Sequence, residues 1–217
     1  MYDILELNTK LLTELREIDG VKKVFVRSGI RYDYIQHDPE GNKFLRELCE
    51  HHISGRLKIA PEHVCGKVLT TMNKPTIDSY EAFSEKFAQC NKELNKEQYL
   101  VPYLMSSHPD CSLEDAIAMA EYMHKHNMKP EQVQDFYPTP GTLSTCMYYT
   151  GLDPRTMKRV FVAKSTGEKT AQRALMQYRL PQNYDIVKAA LVRAGRTDLI
   201  GFDKNALIRP KKYTKKR

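Results

Sequence analysis

The sequence predicts an α/β protein in which about four βα units with parallel strands form a partial barrel, followed by a basic, mostly helical or irregular C-terminal extension. Apolar segments of strand length begin near residues 22, 57, 99 and 132, and a segment of helical character separates each from the next. This alternation is typical of consecutive βα units around a parallel sheet. A doubly wound sheet has the same pattern, so both architectures stay open.

The first unit begins with an amphipathic helix over Asp3–Asp19, where leucine and isoleucine recur at helical spacing before Gly20. β-Branched and aromatic residues then predict a short buried strand over Val21–Ser28, which Gly29 ends. A second helix is predicted over Gly41–Ile53.

The second strand is predicted over Leu57–Ala60 and is followed by a helix over Thr76–Leu94. The third strand, Tyr99–Met105, is a continuous apolar run, as is usual for strands covered on both faces. Pro102 counts against that strand because proline lacks the N–H that a sheet requires.

The last unit begins at Ser112–Asp115, which has the form of a capping box and predicts a helix to about Met128. A fourth strand is predicted over Gln132–Tyr137, and the turn Pro138–Thr142 leads into another helix. The extension then begins at about residue 153.

The distribution of charge also changes at about residue 153. Residues 1–152 contain 17 Lys/Arg against 22 Asp/Glu, a net charge of −5, whereas residues 153–217 contain 17 against 5, a net charge of +12. We therefore predict two parts, a barrel section over 1–152 and a basic extension over 153–217. Such asymmetry suggests contact with nucleic acid or another polyanion, although a solvated basic tail has the same composition.

Several classes of protein are disfavoured by the composition. No apolar run is long enough for a membrane helix, and the N-terminus lacks the features of a signal peptide, so we expect a cytoplasmic protein with no membrane partner. The five cysteines form neither a disulfide framework nor a C-x-x-C motif. The group His51, His52, His63 and Cys65 lacks the paired spacing of a zinc site, so we predict no metal site.

Polar residues follow the predicted strands. Ligands of parallel α/β proteins bind beyond the carboxyl ends of the strands, so these positions predict a binding rim. Each position also has a simpler explanation as a solvated loop residue, a helix cap or a turn. No standard catalytic motif is present, and the catalytic residues are therefore unknown.

Ten short runs, spread over nearly the whole chain, carry a family resemblance. They are Val24–Asp33, Leu57–His63, Met72–Pro75, Lys96–Tyr103, Ser107–Pro109, Val133–Pro140, Ala171–Arg179, Ala194–Arg196, Asp198–Gly201 and Leu207–Pro210. In order and spacing these runs resemble YgiQ-type radical S-adenosylmethionine (SAM) proteins, with the last four in that family's basic C-terminal extension.

This resemblance implies that the first strands of a barrel are missing and would carry a C-x-x-x-C-x-x-C loop. Three thiolates of that loop would bind a 4Fe-4S cluster, and the cluster would bind SAM and cleave it to a 5′-deoxyadenosyl radical. This chain contains no such motif. We therefore expect a fragment that is inactive in radical generation unless the missing N-terminal half is supplied, with the substrate unknown.

The resemblance and the position at the rim together imply a set of cofactor contacts in the later strands. The candidates for contact with SAM are Arg27, Ser28, Glu62, Ser106, His108, Tyr137 and Thr142.

Two other functions stay open. The extension could be a nucleic-acid-binding module, since Arg209–Arg217 holds six basic residues in nine, and its binding would then weaken steeply with salt. Alternatively, the chain is a stand-alone α/β scaffold without catalysis, which would be monodisperse and ignore SAM. A barrel fragment would instead expose an apolar sheet edge and self-associate.

Overall fold

The computed structural model describes residues 4–130 and 133–211, which fold as an α/β protein. The strands are β1 (Arg56–Glu62), β2 (Tyr99–Ser106) and β3 (Gln134–Asp135). The helices are α1 (Ile4–Glu17), α2 (Tyr32–His37), α3 (Gly41–Glu47), α4 (Gly66–Thr71), α5 (Ile77–Glu93), α6 (Leu113–Lys125), α7 (Leu143–Thr150), α8 (Thr166–Met176) and α9 (Tyr184–Arg193).

The strands form an open parallel sheet in the order β1-β2-β3. In the pairing of β2 with β3, Met105 lies opposite Gln134 and Ser106 opposite Asp135. The predicted α/β class and the second and third strands are therefore confirmed. The predicted fourth strand is reduced to two residues, and its first residue, Gln132, lies outside the described residues.

The predicted first strand, Val21–Ser28, is wrong because this segment forms no regular strand. Val26 N–H bonds to the His52 carbonyl, and just beyond the segment Ile30 N–H bonds to the Lys58 carbonyl. Phe25 is 40% exposed, so the aromatic residue that favoured a buried strand is not in a core. The segment leads into an isolated parallel bridge between Ile30 and Ile59 of β1, and Val26 packs partly buried against the core of unit 1, so its apolar residues are used without a continuous ladder.

The helices predicted from apolar spacing are largely confirmed. α1 and α5 lie inside their predicted ranges, and α6 begins with the predicted capping box, in which Ser112 and Asp115 each bond to the other's backbone N–H. α3 continues as a π-helical turn over Leu48–His52. The short helices α2 and α4 were not predicted.

The chain divides into two compact units, each with its own core. Unit 1 comprises the described residues up to Pro61 together with Pro75–Tyr103, and unit 2 comprises Glu62–Lys74 together with the described residues from Leu104 onward. The largest buried side chains of unit 1 include Leu48, Leu57, Ile59 and Phe83. Those of unit 2 include Leu104, Ile117, Met119, Met123, Leu175 and Met176.

Helix α8 lies in the predicted extension and packs against α6 within unit 2. Ala171, Ala174 and Leu175 of α8 are buried in the same core as Met119 and Met123 of α6. The helical character predicted for the extension is thus observed, while the functional division at residue 153 stays a prediction. Among the residues that the structure describes, no helix has the length and apolarity needed to cross a membrane.

Candidate functional site

The carboxyl ends of β1 and β2 carry non-glycine residues in the left-handed backbone region. Glu62 ends β1 with φ 68°, and Ser107 and Asp110 follow β2 with φ 61° and 72°. This conformation costs a non-glycine residue about 1 kcal/mol or more, and such strain clusters at binding sites and active sites. The strand ends of unit 2 are therefore the best candidate site among the described residues.

Glu62 is largely buried and pairs with Lys74, whose Nζ lies 3.6 Å from Glu62 Oε1. Burial raises the pKa of the Glu62 carboxyl, and the charge of Lys74 acts in the opposite direction. This predicted site residue therefore already has a cationic partner.

A buried glutamine from α8 helps to hold the loop after β2, alongside the bond from Asp110 N–H to the Phe161 carbonyl. Gln172, which is 2% exposed, accepts the Ser107 N–H at 2.9 Å and donates to the Cys111 carbonyl at 2.8 Å. Ser107 is also buried, and its Oγ has no hydrogen-bond partner among the described residues. Gln172 thus closes the loop and stabilises the left-handed Ser107 at its start.

His108 is 3% exposed and both of its ring nitrogens are bonded. Nδ1 lies 2.7 Å from the Pro109 carbonyl, which can only accept, so Nδ1 carries the proton. Nε2 then accepts from Ser144 Oγ at 2.8 Å, near the start of α7. Burial lowers the pKa of His108, so the ring is neutral at neutral pH.

A carboxylate and a guanidinium meet at the end of β3. Asp135 accepts from Ser106 Oγ at 2.5 Å through one oxygen and from Arg173 Nη1 at 2.6 Å through the other. The side chains of Asp135 and Arg173 are 40% and 47% exposed. This pair is therefore more open to a ligand than the buried Ser106, Ser107 and His108.

His63 lies just after β1 and is fully buried. Its Nδ1 accepts the Cys65 N–H at 3.0 Å, which leaves the proton on Nε2, 3.4 Å from Cys111 Sγ. Burial lowers the pKa of His63 to about 4 and raises the pKa of the Cys65 thiol to about 11. Burial also raises the pKa of Cys111, so both thiols are protonated near neutral pH.

The seven predicted site residues are distributed over both units. Arg27 and Ser28 are exposed in the irregular segment of unit 1, whereas the other five belong to unit 2. Tyr137 is 80% exposed, and Thr142 caps α7 by accepting the Thr145 N–H at 3.2 Å. The cofactor-binding role of all seven stays a prediction.

The structure joins the predicted site residues to others that sequence reasoning missed. Ser106 is bonded to Asp135, which sequence reasoning placed inside the fourth strand without giving it a role. His108 is bonded to Ser144, in a helix predicted only in outline. Gln172 and Arg173 lie within Ala171–Arg179, a run that served only for the family resemblance. The signal that could have found them is that two polar residues stand among the alanine and leucine that this helix buries.

No group of three or more His, Cys, Asp or Glu side chains that could hold a metal ion occurs among residues 4–130 and 133–211. The thiols of Cys49 and Cys90 are buried in unit 1, and burial raises the pKa of both. Cys146 is exposed on α7. The cysteines of this chain therefore do not fit an iron-sulfur cluster, which needs several converging thiolates.

The fold and site together define an α/β protein with an open parallel sheet whose strand-end site includes side chains from a C-terminal helix. Residues 131–217 match a domain of unknown function, DUF3362. Homologues of the chain are UPF0313 proteins. One from Clostridium perfringens (strain 13 / Type A) is 57% identical over 201 residues, covering 93% of this chain and 30% of the relative.

A UPF0313 protein from Clostridium botulinum (strain 657 / Type Ba4) is 56% identical over 198 residues, covering 91% of this chain and 31% of the relative. The chain therefore spans about 30% of the length of the curated relatives that it matches.

Proposed function

We propose that this chain is the C-terminal part of a UPF0313 protein of the radical SAM type, and that its strand-end site helps to bind SAM. In the whole protein, the cluster and bound SAM would supply a 5′-deoxyadenosyl radical that abstracts hydrogen from a substrate. The proposal is supported by 57% identity over 93% of the chain to a much longer UPF0313 relative, taken with the resemblance to YgiQ-type proteins. The open sheet would then be one section of a larger βα barrel.

The accessible groups at the strand ends suit a ligand of this chemistry. A guanidinium such as that of Arg173 binds carboxylates, and the Asp135 carboxylate can accept from ribose hydroxyls. The exposed ring of Tyr137 offers an apolar face for adenine. The neutral ring of His108 adds no positive charge that would repel a sulfonium.

The 4Fe-4S cluster has to be bound elsewhere. The chain has no C-x-x-x-C-x-x-C motif, and the described cysteines do not converge. We therefore assign SAM contacts to this chain and the cluster to the rest of the protein, which is the missing partner that the sequence predicts.

Calorimetric titration with SAM tests the site directly. The sample is this chain joined to the remaining portion of the C. perfringens UPF0313 protein, prepared anaerobically, with the chain alone measured beside it. We expect Asp135→Asn to weaken binding at least about tenfold, because the loss of a charged hydrogen-bond acceptor typically costs about 1.5–3 kcal/mol.

Asp198→Asn is the matched control. Asp198 is 60% exposed and pairs with Arg196 at 3.0 Å, much as Asp135 pairs with Arg173, but it lies in a 3-10 turn and not at a strand end. We expect this variant to bind SAM within about twofold of the unchanged protein, since small surface effects are of order 0.5 kcal/mol. Equal losses in both variants, or no SAM binding by the joined protein, would contradict the proposal.

The coding DNA upstream of Met1 tests the origin of the chain. We expect an in-frame or frameshifted segment that encodes C-x-x-x-C-x-x-C. If the upstream DNA encodes no such segment, the chain would instead be a relative of the family that lacks the cluster.

A further inference from the structure

Aromatic and basic side chains lie together on α7, on α8 and on the loop between them. We call this the α7–α8 surface and define it as Tyr148, Tyr149, Lys158, Arg159 and Lys169. Tyr149 is 69% exposed, and Lys158 and Arg159 are also exposed. An exposed tyrosine ring beside several cations offers both a face on which a base can stack and charge that can neutralise phosphates.

Side-chain contacts join Tyr148, Tyr149 and Lys169, and the loop that carries Lys158 and Arg159 returns to the end of α7. Lys169 Nζ lies 2.9 Å from the Tyr148 hydroxyl and 5.1 Å from the centre of its ring. The rings of Tyr148 and Tyr149 stand perpendicular, with centres 5.3 Å apart. The loop folds back on the end of α7, because Arg159 pairs with Leu152 in an antiparallel bridge.

The charge of this region is strongly positive and only partly neutralised. Residues 148–173 contain six Lys/Arg and two Asp/Glu. Both acids are engaged, since Asp153 pairs with Arg155 and Glu168 bonds to Ser165 in the cap of α8. Within the described part of the chain, no ion pair neutralises Lys158 or Arg159. The surface therefore has cations available for a polyanion.

We infer that the α7–α8 surface binds single-stranded nucleic acid. Bases stack on tyrosine faces, and lysine and arginine neutralise phosphates, which is the combination that single-strand binding requires. A single strand uses both features along its whole length, since every base has a face that stacks, and an acidic protein is the alternative that the polyglutamate competition below tests. This surface shares no residue with the basic C-terminal tail, most of which lies outside the described residues, or with the proposed SAM contacts, although the Tyr148 ring lies 5.7 Å from that of Phe136, next to Asp135.

Fluorescence anisotropy with a labelled 20-nucleotide oligouridine and a labelled oligothymidine tests this inference on the full chain. Tyr149→Ala should weaken binding about tenfold without changing the salt dependence, because it removes stacking and no charge. The double variant Lys158→Glu with Arg159→Glu should weaken binding more and lower the slope of log affinity against log salt by about 0.7 for each lost phosphate contact. Tighter binding to oligouridine would identify RNA as the ligand, and tighter binding to oligothymidine would identify single-stranded DNA.

Matched controls lie in unit 1. Tyr99 is 65% exposed, and Lys22 and Lys23 are exposed and adjacent to each other in sequence. Tyr99→Ala and the double variant Lys22→Glu with Lys23→Glu therefore make the same chemical changes away from the α7–α8 surface. Both should bind within about twofold of the unchanged chain. Removing residues 212–217 should leave the tenfold effect of Tyr149→Ala in place.

Several outcomes would overturn the inference. They are no binding of either oligonucleotide at low salt, an unchanged affinity in Tyr149→Ala, equal losses in the unit 1 controls, and complete loss of binding on removal of the tail. Displacement of the oligonucleotide by polyglutamate at equal charge concentration would also overturn it, because it would mean that any polyanion suffices. None of these outcomes bears on SAM binding, which is measured separately.

Discussion

His63 and His108 are both buried near the strand ends, yet their rings are held in opposite tautomers. The Cys65 N–H donates to Nδ1 of His63, so the proton of that ring is on Nε2, whereas His108 Nδ1 donates to the Pro109 carbonyl. Burial lowers the pKa of each ring. Both imidazoles are therefore neutral hydrogen-bonding groups at neutral pH, and the positive charge at the site comes from lysine and arginine.

The buried His63 predicts a specific loss of stability in acid. The unfolded ring titrates near pH 6.5 and the folded ring at about 4, so the unfolded state binds more protons between these values. The free energy of unfolding should therefore fall as the pH drops from about 6.5 to about 4, by up to about 3 kcal/mol from this residue. Urea denaturation at a series of pH values measures this fall.

His63→Gln removes the titrating group, so its stability should depend less steeply on pH over that window. His37→Gln provides the control, since His37 is exposed, and should keep the full pH dependence. Parallel stability curves for His63→Gln and the unchanged protein would contradict the burial argument.

At the scale of the element, the space beside the first turn of a helix decides whether a side chain can replace a glycine there. Gly41 begins α3, where an added Cβ would lie 1.7 Å from the carbonyl oxygen of Ile35. Gly167 lies in the first turn of α8, and nothing lies within 4 Å of an added Cβ there. Two glycines at similar helical positions therefore have different structural requirements.

Gly41→Ala should destabilise the protein by about 1–3 kcal/mol or more, because the backbone of Ile35 has to move. Gly167→Ala should be neutral or stabilising by about 0.4–1 kcal/mol, since alanine restricts the unfolded chain and suits a helix. Urea denaturation followed by circular dichroism compares the two. Equal effects would mean that the close approach at Ile35 relaxes without cost.

The glutamine that holds the loop after β2 gives another prediction at this scale. Gln172→Ala should open the Ser107 N–H to hydrogen exchange, leave the Cys111 carbonyl without its donor and cost about 1–3 kcal/mol, because two buried backbone groups lose their partner. Hydrogen exchange of a peptide spanning 107–111 should become faster.

Gln89→Ala is the control, because Gln89 makes an exposed bond to Glu93 on α5. We expect this variant to change stability by less than about 0.5 kcal/mol and to leave exchange at 107–111 unaltered. Slow exchange in Gln172→Ala would show that the loop is held by other contacts.

At the scale of the whole molecule, two compact units with separate cores make up a chain that spans about 30% of its curated relatives. Its helices and sheet were largely predictable because apolar spacing alone indicates which face of a helix is buried. The site was less predictable, since Asp135, Ser144 and Arg173 take their roles from contacts with residues distant in sequence.

Iron analysis tests the whole-molecule proposal. After anaerobic reconstitution with iron and sulfide, the chain alone should retain no stoichiometric iron, because its cysteines do not converge. The chain joined to the remaining portion of the C. perfringens relative should retain about four iron atoms per molecule if that portion carries the cluster loop. Stoichiometric iron on the chain alone would contradict the assignment of the cluster to the missing part.

By itself, the sequence determined the α/β class, the ranges of α1, α5 and α6, the positions of β1 and β2, and the resemblance to one family. These features follow from local spacing, capping residues and short runs, which act over a few neighbouring residues. The tertiary structure decided that Val21–Ser28 forms no strand and that Gln172 and Arg173 reach the strand ends. Such outcomes depend on which distant backbone and side-chain groups need hydrogen-bond partners, and local sequence patterns do not encode those pairings.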